Sequence, residues 1–309
     1  MLGGLPLVDA HVHLARTATL KLSWERWVMA ERSDGDPRQL YDDAGWPVPS
    51  RFAAFLERER VDCAILLAEY SPRVTGIQPI EDMVAVARHD PARIRIAANV
   101  NPHLHYPVAA EVERQLDLGA VALKIHPVHG AFPANARELY PAYAVCQERG
   151  VPVIVHCGTS NFDGAANRFA DPTYCEDVAK DFPELTIVLA HGGRGWWYDA
   201  AAFLALMREQ IWIELSGLPP RKLPEYYARH DLDRLGRKFI FGTDWPGVPG
   251  IRANAEAIAG LGFADDVLAG ILAENARTVY RLGDIGAARR LVPGSLFEPG
   301  TGVPATGNP

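Results

Sequence analysis

The sequence predicts a (β/α)8 barrel. Eight short apolar, β-branched runs recur along the chain, and amphipathic stretches of helical period alternate with them. No Gly-rich turn follows an early strand, as an open doubly wound sheet would normally show. Runs without clean polar alternation suit a sheet buried on both faces, and strict strand–helix alternation with right-handed crossovers makes its strands parallel.

The first run covers residues 5–9 and leads into the phrase HVH. Residues 15–50 then leave the rhythm, forming an insertion that carries Trp24, Trp27 and Trp46 and is expected over the barrel mouth. Helical stretches at 51–60, 80–89, 108–118, 135–149, 172–181, 198–209 and 224–234 separate strands at 62–68, 94–100, 121–125, 152–155, 186–190, 211–215 and 238–241. Several helices have Pro near the first turn, and two end near Gly119 and Gly150, the ends each residue favours. The barrel is expected to occupy residues 1–282 as one domain, and a tail rich in Gly and Pro runs from 283 to 309. That tail holds ten of the 27 glycines and 24 prolines, so it accounts for much of their excess.

Composition narrows the function. The 309 residues are 48% hydrophobic and 22% charged, which excludes disorder, and 31 Lys+Arg against 38 Asp+Glu leave a net charge of −7. Such a chain has no basic field for nucleic acid or anionic lipid. The four cysteines, Cys63, Cys146, Cys157 and Cys175, make no CxxC pair and read as buried free thiols in a reducing compartment. No basic N-terminal region precedes a long apolar stretch, and no window approaches about 18 uninterrupted apolar residues. The expected location is the cytoplasm, with no membrane partner.

The chemistry lies at the strand ends. His11 and His13 follow the first strand, and on an extended chain a spacing of two projects both imidazoles to one side. Lys124 closes the fourth strand (VALKIHP), His156 the fifth (PVIVHCG) and His191 the sixth (TIVLAHGG), while Asp244 follows the eighth (FIFGTDWPG). A barrel brings all six to one mouth. Imidazoles and a carboxylate are suitable ligands for Zn, Mn or Fe as divalent ions. One histidine at a strand end is ordinarily a hydrogen-bonded structural residue, so the weight rests on the ordered set.

That set resembles the amidohydrolase superfamily of metal-dependent barrels over roughly residues 5–281. The phrases VDAHVH, VIVHCG, VLAHGG, FGTDWP and ENARTVYRL are most similar to the branch with aminocarboxymuconate-semialdehyde decarboxylase, resorcylate decarboxylase and several lactone hydrolases. The resemblance implies one or two divalent metals, with His11, His13, His156 and Asp244 around the more buried one. It further implies that Asp244 moves the proton of the attacking water. His191 would bind a second metal or act as a free base or electrophile. Two-metal members carry a carboxylated lysine at the position of Lys124, which favours a hydrolase that attacks an amide, ester, lactone or thioester with metal-bound hydroxide. The alternative is a non-oxidative decarboxylase of an aromatic or enoic acid; a non-catalytic binding barrel is more remote.

Loops supply the expected substrate contacts. His126 shares Lys124's side of an extended chain and reads as a further ligand or substrate contact. Arg194, beside His191 in HGGRGWW, is a candidate clamp for a carboxylate. Trp27, Trp196 and Trp245 are candidates for an apolar pocket wall, with Tyr70, Asn161 and Arg168 behind them. The partner is therefore expected to be a small carboxylic acid or acyl derivative, and the resemblance makes a homodimer plausible.

Overall fold

The computed structural model describes residues 4–31, 35–283 and 285. Eight parallel strands run in sequence order: β1 Val8–Val12, β2 Cys63–Leu67, β3 Ile94–Asn99, β4 Ala120–Ile125, β5 Val153–Gly158, β6 Ile187–Arg194, β7 Ile211–Glu214 and β8 Phe239–Ile240. The last strand returns to the first. The Ala10 N–H donates to the Phe241 carbonyl at 3.1 Å, the Asp244 N–H to the His11 carbonyl at 2.9 Å, and the His13 N–H to the Trp245 carbonyl at 2.8 Å. The chain is thus a (β/α)8 barrel.

Strand composition explains the two-sided burial. In β2, Cys63, Ile65 and Leu67 join one apolar cluster with Val8, Ala10, Ala97, Ala122, Ile154, Val188 and Ile240. The alternate residues Ala64 and Leu66 join the other, packed with Phe52, Phe55, Met83 and Val86 from the surrounding helices. Those helices follow their period: Pro49–Arg58 buries Phe52, Phe55 and Leu56, and Val108–Asp117 buries Val108, Val112 and Leu116.

Some bounds move for local reasons. β1 starts at Val8 rather than residue 5, so His11 lies inside the strand, and a register irregularity falls between Asp9 and Val12. The stretch 135–149 divides into a 3-10 turn at Arg137–Leu139 and a helix at Tyr140–Arg149, which ends on Gly150 at φ 61°. The stretch 224–234 becomes two short helices, Leu223–Tyr226 and Leu232–Gly236, because the Asp231 side chain accepts the Arg234 N–H and starts a new one. Past β2 the chain makes an antiparallel hairpin, Glu69–Ser71 with Gly76–Gln78, which periodicity did not reveal. Trp24 and Trp27, expected in a loop, belong to the helix Leu22–Val28. All four cysteines are free and buried. Among the described residues no helix is long and apolar enough to cross a membrane. The tail expected over 283–309 lies outside the described residues apart from 283 and 285.

Candidate metal centre and active site

The strand ends bring three predicted ligands onto one point. His11 Nε2 lies 3.5 Å and His13 Nε2 3.2 Å from Asp244 Oδ1. Candidate ligand atoms of these three buried residues all lie within 4.8 Å of one another. His11 turns its Nδ1–H toward Glu214 Oε2 at 2.6 Å, which leaves Nε2 with a free lone pair. Glu214 continues the inward series of β7 beyond Trp212, as Lys124 does beyond Ala122 and His156 beyond Ile154.

His191 and Asp244 adopt left-handed backbone conformations, φ 68° and 69°. For residues with a Cβ this costs roughly 1–3 kcal/mol each, so the surroundings must hold them. The Asp244 N–H bond to His11 does so on one side. On the other, His191 Nδ1 lies 3.0 Å from the Ser216 carbonyl.

His156 and His191 form a second pair of donors. His156 Nε2 donates to the Gly158 carbonyl at 2.9 Å, and His191 Nδ1 lies 3.0 Å from the Ser216 carbonyl and 2.9 Å from the Ser216 hydroxyl. The Gly158 carbonyl carries no hydrogen, so the His156 proton sits on Nε2, whereas His191 Nδ1 can donate to the Ser216 carbonyl or accept from the Ser216 hydroxyl. His156 Nδ1 therefore presents a lone pair, and His191 Nε2 faces it at 3.1 Å. Burial pushes both imidazoles well below their usual range, with neighbouring imidazoles, Arg194 and Lys124 adding to the effect. With His191 protonated on Nδ1, both facing nitrogens present lone pairs, a donor set that fits a divalent metal cation.

The charges agree. Burial alone would raise Asp244, but His13, His11 and Arg194 hold its carboxyl below the usual carboxylate range. Burial likewise opposes Glu214, and His11 with Lys124 lowers it. Lys124 is fully buried, its Nζ has no hydrogen-bond partner among the described residues, and burial lowers its pKa toward the neutral amine. The site therefore favours neutral His11, His156 and His191 imidazoles beside the ionised Asp244 and Glu214 carboxylates.

Asp244 and Arg194 open into a cavity of about 450 Å³ whose walls include Trp27, Leu218, Val248 and Asn254. The Arg194 guanidinium donates to the Thr159 carbonyl at 2.9 Å and to the Gly217 carbonyl at 3.3 Å, fixing the fork at the rim. Gly217, at φ 63°, has no room for a Cβ, which would collide with that guanidinium and crowd Asp244. Trp24 stands edge-on to His13 with centroids 5.1 Å apart and stacks on Trp27 at 4.8 Å, so the 15–50 insertion reaches the candidate ligands.

Two of the expected wall residues lie elsewhere. Trp245 is 2% exposed and packs on Phe55 at 4.6 Å, as core and not as wall of the 450 Å³ cavity. Its loop is drawn inward by the His13–Trp245 backbone bond. Trp196 is 69% exposed against Trp197 and also lies outside that lining. Asn161 and Arg168 are exposed, and Tyr70 stacks edge-on with His105.

His126 sits on the β2–β4 side in a group that sequence reading passed over. Glu69, His126 and His129 place candidate ligand atoms within 4.8 Å of one another. Asn99 Oδ1 accepts the Tyr70 N–H, and its Nδ2 donates to the Lys124 carbonyl, which fixes the amide's orientation. The same Nδ2 lies 3.1 Å from His126 Nδ1 and donates to it, so His126 carries its proton on Nε2, facing Glu69 Oε2 at 3.6 Å. These hydrogen bonds suit proton chemistry better than cation ligation. Glu214 and Glu69 show the same signal as His156, an ionisable residue closing an apolar strand (IWIEL, AILLAEY), and His129 repeats His126 at a spacing of three.

Comparisons with known proteins agree with this architecture. A family model described as amidohydrolase matches residues 8–282. An uncharacterised TIM-barrel protein from Bordetella bronchiseptica superposes with a TM-score of 0.69 at 22% identity, covering 90% of this chain and 99% of that one. A dihydroxybenzoic acid decarboxylase from a Polaromonas species, crystallised with manganese and the inhibitor 2-nitroresorcinol, gives 0.65 at 14% identity over 90% and 97%. A probable 2-pyrone-4,6-dicarboxylic acid hydrolase from Acinetobacter baumannii, with citric acid bound, gives 0.59 at 16% identity over 90% and 100%. No curated protein matches the sequence.

Proposed function

The chain belongs to the amidohydrolase family, and from that premise we propose that it is a metal-dependent, non-oxidative decarboxylase of a small aromatic or enoic carboxylic acid. The observation that carries this reading is the pairing of Arg194 with Asp244 at the rim of an otherwise largely apolar cavity. An apolar body fits against Trp27, Leu218 and Val248, while its carboxylate meets the guanidinium beside the candidate ligands. The manganese-containing decarboxylase among the structural relatives supports the same chemistry.

His11, His13 and Asp244 would hold the cation, with His156 and His191 as further donors nearby. A divalent ion there supplies Lewis-acid polarisation of a bound oxygen. Glu214 orients His11 through Nδ1, and Ser216 orients His191. Arg194 binds and aligns the acid. Asp244, ionised, takes a proton from a substrate hydroxyl or from water and returns it to the carbon that loses carbon dioxide. Trp24 and Trp27 exclude water from this face.

The second reading is hydrolysis of a lactone, ester, amide or thioester. It is favoured by one observation, the buried and unpartnered Lys124 amine, whose neutral form is the one that carboxylation requires. The deciding experiment incubates manganese- or zinc-loaded protein with hydroxylated benzoic acids, enoic acids and lactones. Carbon dioxide release supports the first reading. Ring opening without carbon dioxide supports the second, and inertness toward every class overturns both.

A further inference from the structure

A hydroxyl, an imidazole and a carboxylate are aligned on the β2–β4–β5 side of the mouth, where the His129 ring packs on His156 with centroids 4.9 Å apart. Ser160 Oγ lies 3.0 Å from His129 Nε2, and His129 Nδ1 lies 2.7 Å from Glu69 Oε1. Glu69 also accepts the Thr75 hydroxyl at 2.6 Å. The carboxylate can only accept, so His129 carries its proton on Nδ1 and offers a lone pair on Nε2 to the serine hydroxyl. Exposure falls inward along the series, from 7% at Ser160 to 3% at His129 and 0% at Glu69, the order a nucleophile, its base and its orienting acid require.

From this geometry we infer that Ser160, His129 and Glu69 form a serine nucleophile triad that accepts acyl groups from small esters or thioesters. The three residues come from the ends of different strands, and such a set is recognised by geometry and roles rather than by order in the chain. The serine is held rigidly. Its backbone N–H donates to Asn167 Oδ1 at 2.8 Å, and its carbonyl accepts the Asn167 amide at 3.1 Å. The Ser160 hydroxyl oxygen also accepts the Phe162 N–H at 3.4 Å, a local turn bond that helps fix the side chain. Phe162 packs on Trp24 at 4.9 Å and Trp27 at 5.7 Å, so the surface beside the serine is aromatic and suits an apolar acyl group. His129 also lines a second cavity of about 350 Å³ with Asn101 and His103, none of which lines the cavity at Arg194.

In the step assigned, the Ser160 Oγ–carbonyl carbon bond forms and the bond to the leaving alkoxide or thiolate breaks. The Oγ proton passes to His129 Nε2 and then to the leaving group, and water later cleaves the acyl-serine to free acid. None of this requires the metal site.

The test is covalent and independent of the natural substrate. Full-length protein is treated with diisopropyl fluorophosphate, with and without a chelator, and the modified residue is located by mass spectrometry. Attack of Ser160 Oγ on phosphorus expels fluoride, and the expected result is one adduct per chain on Ser160 at the same rate in both conditions. His129→Ala should slow labelling by about 100-fold or more, the usual share of a general base, and Glu69→Gln should slow it as well. Wild-type protein without an adduct on Ser160 overturns the triad whether or not the buried variants fold. An unchanged rate in His129→Ala overturns it too, as does anomalous scattering from zinc-soaked crystals that places zinc between Glu69, His126 and His129. Because the chelator arm removes the metal, failure here is distinguishable from failure of the decarboxylase reading.

Discussion

Arg194 Nη1 lies 4.0 Å from Asp244 Oδ2, and both side chains form the wall of the same cavity. The separation is longer than a hydrogen bond, so the guanidinium lowers the Asp244 carboxyl through space while keeping donors available to an incoming anion.

Arg194→Ala should therefore raise KM for a carboxylate substrate by about 10- to 100-fold, the worth of a charged hydrogen bond of roughly 1.5–3 kcal/mol. Arg194→Lys should recover only part, because a lysine does not reproduce the planar fork that engages Thr159 and Gly217. Steady-state kinetics with the neutral methyl ester as comparison checks this. Equal losses for acid and ester would remove the clamp role.

The facing ring nitrogens of His156 and His191 bear on stability. A divalent ion at about a hundred times its Kd stabilises the fold by ~2.7 kcal/mol, which for a chain of this size is on the order of 4 °C in Tm. Chelation should lower Tm by that amount, and manganese or zinc should restore it. His11→Ala should abolish both the metal content and the response. Purified, metal-replete protein with no bound metal in elemental analysis contradicts the site.

Trp245 and Trp27 should behave differently. Trp245→Ala removes a buried ring packed on Phe52 and Phe55 and should cost about 3–5 kcal/mol of stability. Trp27→Ala enlarges the cavity and should change substrate KM more than denaturant midpoint. Urea unfolding of both variants decides the matter, and a midpoint shift confined to Trp27→Ala would reverse the assignment.

A pH dependence follows from His105, away from the metal ligands. Its Nδ1 accepts the Asn101 N–H at 3.1 Å, and burial lowers its pKa below the ordinary 6.5, Glu111 opposing. The neutral ring is favoured in the fold. Its contribution is thus fully present above the unfolded value near 6.5 and is lost as pH falls through the lower folded value. The Tm difference between wild type and His105→Gln should shrink between pH 7 and pH 5. A difference that is flat or grows in acid would refute this.

The sequence by itself determined the barrel and which strand ends carry its candidate ligands, because both are written in local pattern. Residues 62–68 announce a strand buried on both faces, and Cys63, Ile65 and Leu67 pack in one cluster while Ala64 and Leu66 pack in the other. Parallel strands with helical crossovers must then present His11, His13, His156, His191 and Asp244 at one end. Only the tertiary structure bears on which nitrogen of each ring is available, since that depends on the Gly158 carbonyl, on the carbonyl and hydroxyl of Ser216 and on the carboxylate of Glu214. It also moved Trp245 into the core and left Trp196 in solvent, although both are tryptophans in loops after strands. The Ser160–His129–Glu69 alignment has no linear signature, because 91 positions separate its ends and closure of the barrel brings them together. Periodicity reports which face of an element is apolar; hydrogen-bond roles belong to pairs of atoms that only the closed fold places within reach.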